Sequence, residues 1–112
     1  MAQLPLLARE AAGRVRQQLL QHLGQHLLDV RVFGSQARGE AHEDSDLDVL
    51  ILVDREDKWI RDTMYSVVAA VEAELNYQLP ISPCLMSQAH YQELLDRELL
   101  FGQELARDGI SV

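Results

Sequence analysis

The segment Leu47–Val53 is the feature that most limits how this chain can fold. It is rich in leucine, valine and isoleucine, and after Asp48 it contains no polar residue. Strands of this kind are usually buried on both faces, so we expect this one in the centre of a sheet that helices cover. Asp46 and Asp48 open the strand. Because residues two apart on a strand share a face, the two carboxylates should lie side by side.

Two neighbouring carboxylates repel each other unless a proton or a cation lies between them. Carboxylate oxygens suit Mg²⁺ or Mn²⁺, so Asp46 and Asp48 are candidate metal ligands. The alternative is an acidic loop whose side chains cap nearby backbone at the entrance of the strand. For Asp44, two residues upstream, that structural role is the expectation.

A glycine and a serine lie at the end of the preceding predicted strand. Gly34 and Ser35 follow Val32 and Phe33, where the strand ends and a short helical turn begins. Free backbone N–H groups at such a corner can bind phosphate. Alternatively, Gly34 is only the turn residue and Ser35 only a helix N-cap. Both structural roles are compatible with phosphate binding, since a phosphate would meet a capped helix start.

Together these residues form a pattern that resembles a known family. The pattern is similar to the signature of the DNA polymerase β-like nucleotidyltransferase superfamily, and it consists of Gly34-Ser35, Arg38-Gly39 and the pair Asp46 and Asp48. A chain of 112 residues looks most like the minimal nucleotidyltransferases, which are often encoded beside a helical partner. The resemblance is tight over residues 30–53 and elsewhere lies mainly in the order of the elements.

The resemblance implies a function. Gly34 and Ser35 would hold the β- and γ-phosphates of a nucleoside triphosphate, and Arg38 would pair with a phosphate or brace the acidic loop. With Mg²⁺ on Asp46 and Asp48, AMP would pass from ATP to a hydroxyl of another protein. The implied partner is a helical toxin of the higher-eukaryote-and-prokaryote nucleotide-binding (HEPN) family, with this chain as the antitoxin. A homo-oligomer is also compatible with the sequence.

One departure from the family pattern concerns a third carboxylate. Active relatives typically place another aspartate on the strand after the second long helix, where it completes a two-metal site. The corresponding segment here is Ile81–Met86, which has no acidic residue, and Ser82 stands near the expected position. The alternative function is therefore an antitoxin that binds nucleotide or partner but transfers slowly.

Composition and charge limit the class of protein to which this chain can belong. The sequence predicts one domain over residues 1–112, and 47% of its residues are hydrophobic, enough for a single core. No apolar run is long enough to cross a membrane, and one cysteine fits a reducing cytoplasm. Residues 40–57 carry eight acidic residues against Arg55, and only 5% of the chain is aromatic, which argues against binding free nucleic acid.

Periodicity predicts an α/β (α+β) fold, a small mixed sheet of three to four strands with helices packed on it. Helices are expected over residues 5–27, 57–77, 88–95 and 98–107, with strands over 30–34, 47–53 and 81–86. A helical turn over 35–39 and a polar loop over 40–45 complete the prediction. Asp54 or Asp57 should cap the second long helix, Ser87 the next one, and Pro83 indicates an edge strand.

Other residues carry weaker signals. His22 and His26 are one helical turn apart and could bind a metal, but a solvated or partner-facing surface is the simpler interpretation. Cys84 reads as a small buried side chain, and Trp59 either packs over its helix or faces a partner.

Overall fold

A computed structural model describes residues 4–34, 46–97 and 109–111 of the chain. The described helices are α1, α2 and α3, spanning Leu6–Leu23, Lys58–Glu74 and Gln88–Asp96. The described strands are β1, β2, β3 and β4, spanning Leu27–Phe33, Leu47–Val53, Ile81–Ser87 and Ile110–Ser111. A short 3₁₀ turn, Gly24–His26, joins α1 to β1.

The strands form one mixed sheet in the order β3-β2-β1-β4. Strand β1 runs antiparallel to both β2 and β4, whereas β2 and β3 are parallel and are joined through α2. This arrangement confirms the predicted fold class. It also confirms that β2 is an inner strand and that β3, which contains Pro83, lies at an edge.

Alternate residues of β2 point into two different packing environments. Leu47, Val49, Ile51 and Val53 belong to the large core beneath α1 and α2. All four side chains are fully buried. The apolar stripes of the two helices complete this core, because residues at three- and four-residue spacing share one face of a helix. The buried positions are Ala8, Ala11, Ala12, Val15, Leu19 and Leu23 on α1, and Ile60, Met64, Val67, Val68 and Val71 on α2.

The opposite face of the sheet has a smaller apolar cluster. Leu50, Leu52, Met86 and Tyr91 form it, with partly buried neighbours such as Cys84. Tyr91 comes from α3, the helix that covers this face. Asp48 lies on the same face as Leu50 and Leu52, since residues two apart on a strand point the same way.

The first predicted helix was too long at its carboxyl end. Helix α1 ends at Leu23 because Gly24 takes a positive φ of 55°, and a 3₁₀ turn leads into β1 at Leu27. The leucine that continues the helical spacing, Leu27, therefore belongs to a strand. Glycine fits this position since a side chain would be strained at positive φ.

The other helix boundaries follow from their caps. Helix α2 ends at Glu74, short of the predicted residue 77, because Asn76 and Tyr77 adopt positive φ values of 55° and 58°. Asp57 accepts a hydrogen bond from the Ile60 N–H and is therefore the N-cap. Ser87 caps α3 in the same manner, as predicted, by accepting from the N–H of residue 90.

Several predictions lie outside the described residues: the turn over 35–39, the loop over 40–45 and the helix over 98–107. The two-residue strand β4 was not predicted, and it pairs with Arg31 and Val32 of β1. In the part of the chain that the structure describes, none of the helices has the length and apolar character needed to cross a membrane.

Candidate active site

The candidate site lies at one end of the sheet, where three strands meet. The end of β1, the start of β2 and the start of β3 place Phe33, Asp48 and Ser82 in register across the three strands. Side chains of paired residues project from the same face of a sheet. The face that carries Asp48 therefore also carries Ser82, and both side chains are half-buried.

Gly34 lies directly against Asp48. Its φ is +72°, which disfavours any residue with a side chain, and a Cβ built at this position would overlap the Asp48 carboxylate. The backbone at the end of β1 therefore approaches the Asp48 carboxylate so closely that only glycine fits at residue 34. A group bound at Gly34 would lie next to whatever that carboxylate binds.

Ser82 connects the two strands through a hydrogen bond. Its hydroxyl donates to Oδ2 of Asp46 over 3.0 Å, although its strand partner is Asp48. Asp46 is exposed and precedes β2 directly, and the next N–H, that of Leu47, donates to the Pro80 carbonyl over 2.8 Å. Ser82 thus stands beside both aspartates, near the position at which the family resemblance implies a third carboxylate.

The donor set at this end of the sheet suits a divalent cation. Asp46 and Asp48 offer hard carboxylate oxygens, the ligand type that Mg²⁺ and Mn²⁺ prefer. Across residues 4–34, 46–97 and 109–111, no three His, Cys, Asp or Glu side chains form a group that could hold a metal ion. Two carboxylates with the oxygens of a bound triphosphate are the usual way in which Mg²⁺ is held at phosphate-transfer sites.

A second polar cluster on this face was not predicted from the sequence. Arg31 donates from Nε to Asp29 over 2.7 Å and from a terminal nitrogen to the Tyr91 hydroxyl over 3.1 Å. Its guanidinium carbon also lies 5.6 Å from the centre of the Tyr91 ring. Val30 and Val32 point into the core on the other face of β1. Their alternation with Arg31 was the sequence pattern that could have placed Arg31 on this face. The cluster ties α3 to β1 beside the candidate site.

Two of the predicted site residues, Ser35 and Arg38, lie outside the described part of the chain, as does Asp44, for which a structural role is expected. Their predicted roles therefore remain predictions. The structure brings together Gly34, Asp46 and Asp48, and it adds Ser82 to them.

The remaining sequence signals lie elsewhere. His26 bonds Asp54 through Nδ1 at 2.8 Å and meets the Trp59 ring edge-on. His22 and Trp59 line a groove of about 350 Å³ between α1 and α2, on the face of the sheet that these two helices cover. Cys84 is half-buried, and its burial raises the pKa of the thiol.

Comparisons with known proteins identify the family. Residues 13–99 match the family described as nucleotidyltransferase domain. A protein of Methanocaldococcus jannaschii named "putative protein adenylyltransferase" is 34% identical over 76 residues, which is 68% of this chain and 76% of that protein.

Solved structures show the same fold. One described as "putative minimal nucleotidyltransferase" matches with a TM-score of 0.56 and 27% identity, covering 94% of this chain and 95% of that one. A toxin–antitoxin structure with AMP-PNP matches with a TM-score of 0.52 and 20% identity, covering 87% of this chain and 68% of that chain. The match over residues 13–99 covers most of the sequence, and it includes every residue of the candidate site. This chain belongs to the nucleotidyltransferase domain family.

Proposed function

We propose that this chain transfers AMP from ATP to a hydroxyl of a partner protein and that the partner is a helical toxin. The observation that carries the proposal is the direct approach of Gly34 to the Asp48 carboxylate. A phosphate bound at the Gly34 corner would lie beside a cation held by Asp48 and Asp46. These are the two elements that nucleotidyl transfer requires.

The roles follow from charge and position. Asp46 and Asp48 would hold Mg²⁺, and the backbone at Gly34 and Ser35 would hold the leaving end of the triphosphate in line with the attacking hydroxyl. When bound, Mg²⁺ supplies the positive charge that offsets the triphosphate and the charge developing on pyrophosphate. Strand β2 holds Asp48, and Asp46 directly precedes that strand, so the sheet positions both carboxylates before the reaction begins.

The relatives support AMP as the transferred group and a protein as the acceptor. The relative from Methanocaldococcus jannaschii bears the name of a protein adenylyltransferase, and one toxin–antitoxin structure contains AMP-PNP. A further toxin–antitoxin structure with a TM-score of 0.52 and 18% identity is a mutant in which two aspartates, two positions apart, are replaced by glutamate. Asp46 and Asp48 have the same spacing.

The test is metal-dependent nucleotide binding followed by transfer. We expect ATP and Mg²⁺ together to stabilise the chain more than either alone, approaching about 2.7 kcal/mol at a hundredfold excess over Kd. Asp46→Asn and Asp48→Asn should remain folded and lose this stabilisation. Asp62→Asn is the matched control, since Asp62 is exposed on α2 and pairs with Lys58. Equal loss in all three variants, or none in any, would contradict the metal assignment.

Transfer is then measured with labelled ATP and the protein encoded beside this chain. Label should appear on that protein only with Mg²⁺ and only with both aspartates intact. A partner labelled equally by wild type and Asp48→Asn would contradict the proposed role of that carboxylate.

A second function, nucleotide or partner binding with little transfer, is favoured by one observation. The β3 residue paired with Asp48 is Ser82, a hydroxyl where active relatives are expected to carry a carboxylate. A third carboxylate at this position would help bind the metal that activates the attacking group. Intact ATP binding without any transfer to the partner would support this second function over the first.

A further inference from the structure

The hydroxyl of Ser82 lies against a carboxylate of the candidate site. Its Oγ lies 3.0 Å from Oδ2 of Asp46 and donates a hydrogen bond to it. A nucleophilic hydroxyl and its proton acceptor are expected at about 2.6–3.2 Å from each other. Ser82 and Asp46 meet that criterion without any movement.

The same hydroxyl is accessible from the side on which a nucleotide would bind. Asp46 is exposed and Ser82 is half-buried, so neither is enclosed by the apolar cluster below them. Ser82 is also the register partner of Asp48, against which the Gly34 backbone packs. A triphosphate bound between Gly34 and the two aspartates would therefore bring its phosphates next to the Ser82 hydroxyl.

We propose that Ser82 is itself an acceptor, so that the chain attaches AMP to its own β3 strand; this rests on the proposed nucleotide site. The Ser82 Oγ forms a bond to the α-phosphorus of ATP, and the bond from that phosphorus to the bridging oxygen of the β-phosphate breaks. Pyrophosphate leaves. The hydroxyl proton moves along the hydrogen bond toward Asp46 Oδ2 and ends on pyrophosphate or water. The product is a phosphodiester between Ser82 and AMP.

Self-modification would change the site that produced it. The ester removes the proton that Ser82 donates to Asp46 and puts a bulky anionic group between the two aspartates and the acceptor. A modified chain could therefore carry out neither a second self-transfer nor an efficient transfer to a partner. The modification would therefore inhibit the chain that carries it. The rate of transfer to a partner would depend on the fraction of chains that remain unmodified.

A structural role for the hydroxyl is the competing explanation. Ser82 could act only as a positioning residue that orients the Asp46 carboxylate for metal binding. That role predicts no covalent label on the wild-type chain, and it predicts weaker Mg²⁺–ATP binding when the hydroxyl is removed. Self-transfer instead predicts a covalent AMP group at one residue of the wild type.

The experiment incubates the chain with α-labelled ATP and Mg²⁺. Four proteins are compared: wild type, Ser82→Ala, Ser82→Thr and Ser66→Ala. Ser66 is the matched control, since it is exposed on α2, on the other side of the sheet. Intact mass and peptide mapping locate the label, and calorimetry measures ATP binding in parallel. We expect one AMP per chain on Ser82, complete loss in Ser82→Ala, retention in Ser66→Ala and partial retention in Ser82→Thr.

The binding measurement separates the two hypotheses. Intact ATP binding with no label on wild type, or a label that maps to another residue, would overturn self-transfer and leave the nucleotide site standing. Absence of Mg²⁺-dependent ATP binding would overturn the proposed function and self-transfer with it. Weaker binding in Ser82→Ala without any label on wild type would assign Ser82 to positioning alone.

Discussion

The two faces of the sheet use the same strands for different purposes. On the face beneath α1 and α2, every inward residue of β2 is apolar and fully buried. On the other face the same strand presents Asp48 followed by Leu50 and Leu52, and only α3 covers it among the described helices. The comparison shows how a small domain separates stability from chemistry: one face holds the fold together, and the other can carry charge.

The separation predicts that the largest loss of stability comes from the face beneath α1 and α2. Ile51 is fully buried there, so Ile51→Ala should cost about 2–5 kcal/mol of unfolding free energy through lost burial and a residual cavity. Leu20 is 45% exposed on α1, and Leu20→Ala should cost much less. Denaturant unfolding measures both. Similar losses for the two variants would show that α1 and α2 do not form the main core.

A pair of glycine substitutions tests the site end of the sheet. Gly34→Ala places a Cβ against the Asp48 carboxylate at a φ of +72°, and the left-handed backbone alone should cost roughly 1–2 kcal/mol. Gly13→Ala on α1 meets no atom within 4 Å and should instead stabilise the chain by about 0.5–1 kcal/mol.

Nucleotide binding separates these two variants further. Gly34→Ala should weaken Mg²⁺–ATP binding because the new methyl group displaces the Asp48 side chain, whereas Gly13→Ala should leave binding unchanged. Thermal unfolding with and without Mg²⁺–ATP measures both effects. A Gly34→Ala chain that is destabilised yet binds ATP normally would mean that the Gly34 backbone does not contact the nucleotide.

The sequence was informative wherever local chemistry decides the structure. The burial of β2 and the edge position of Pro83 follow from the apolar run of the strand and from the missing N–H of proline. The end of α1 was misjudged because Leu27 continues a helical spacing, and pairing with Val53 on β2 outweighs that local preference.

Residue periodicity does not report contacts between distant segments, and the family resemblance indicated only that Ser82 stands near the position of a third carboxylate. The hydrogen bond from Ser82 to Asp46 joins residues 36 positions apart, and it depends on the register of two parallel strands. A shift by two residues would put Cys84 in that place. The contact between Arg31 and Tyr91, 60 positions apart, depends in the same way on where α3 packs, and no sequence period reports that position.

Replacing Ser82 by aspartate adds a third carboxylate to the face of the sheet that carries Asp48. The new carboxylate would stand beside Asp46 and Asp48, so Ser82→Asp should be destabilised by about 1 kcal/mol in metal-free buffer through repulsion. With Mg²⁺ the effect of Ser82→Asp on stability should reverse. Mg²⁺ should raise the melting temperature of this variant more than that of wild type, and AMP transfer to the partner should be faster.

Ser82→Asn is the control for this substitution, because it matches the size of aspartate without the charge. It should show neither the metal-free destabilisation nor the gain with Mg²⁺. If Ser82→Asp and Ser82→Asn behave alike, size rather than charge governs the position, and the place beside Asp46 is not a site for a third metal ligand.

The smallest expected effect lies away from both faces, at the pair formed by His26 and Asp54. The hydrogen bond from the His26 ring lowers the pKa of the Asp54 carboxyl below its ordinary value of 3.8. A carboxyl with a lowered pKa in the folded state adds stability that is present above the unfolded value and lost as the pH falls through the folded value. The stability that this carboxyl contributes should therefore be present above pH 3.8 and should shrink as the pH falls below it, so the difference between wild type and Asp54→Asn should fall in acid.

A double-mutant cycle isolates this contribution. His26→Asn, Asp54→Asn and the double variant are unfolded with denaturant near neutral pH and again in acid, and the coupling between the two sites is compared. Because both side chains are partly exposed, with 33% and 42% of their surfaces accessible, screening by water should keep the coupling small. A small coupling that disappears in acid is the expected result. A coupling of the same size at both pH values would show that the ionised Asp54 carboxylate is not its source, because the edge-on contact of His26 with Trp59 is present with and without Asp54 and cancels in the cycle.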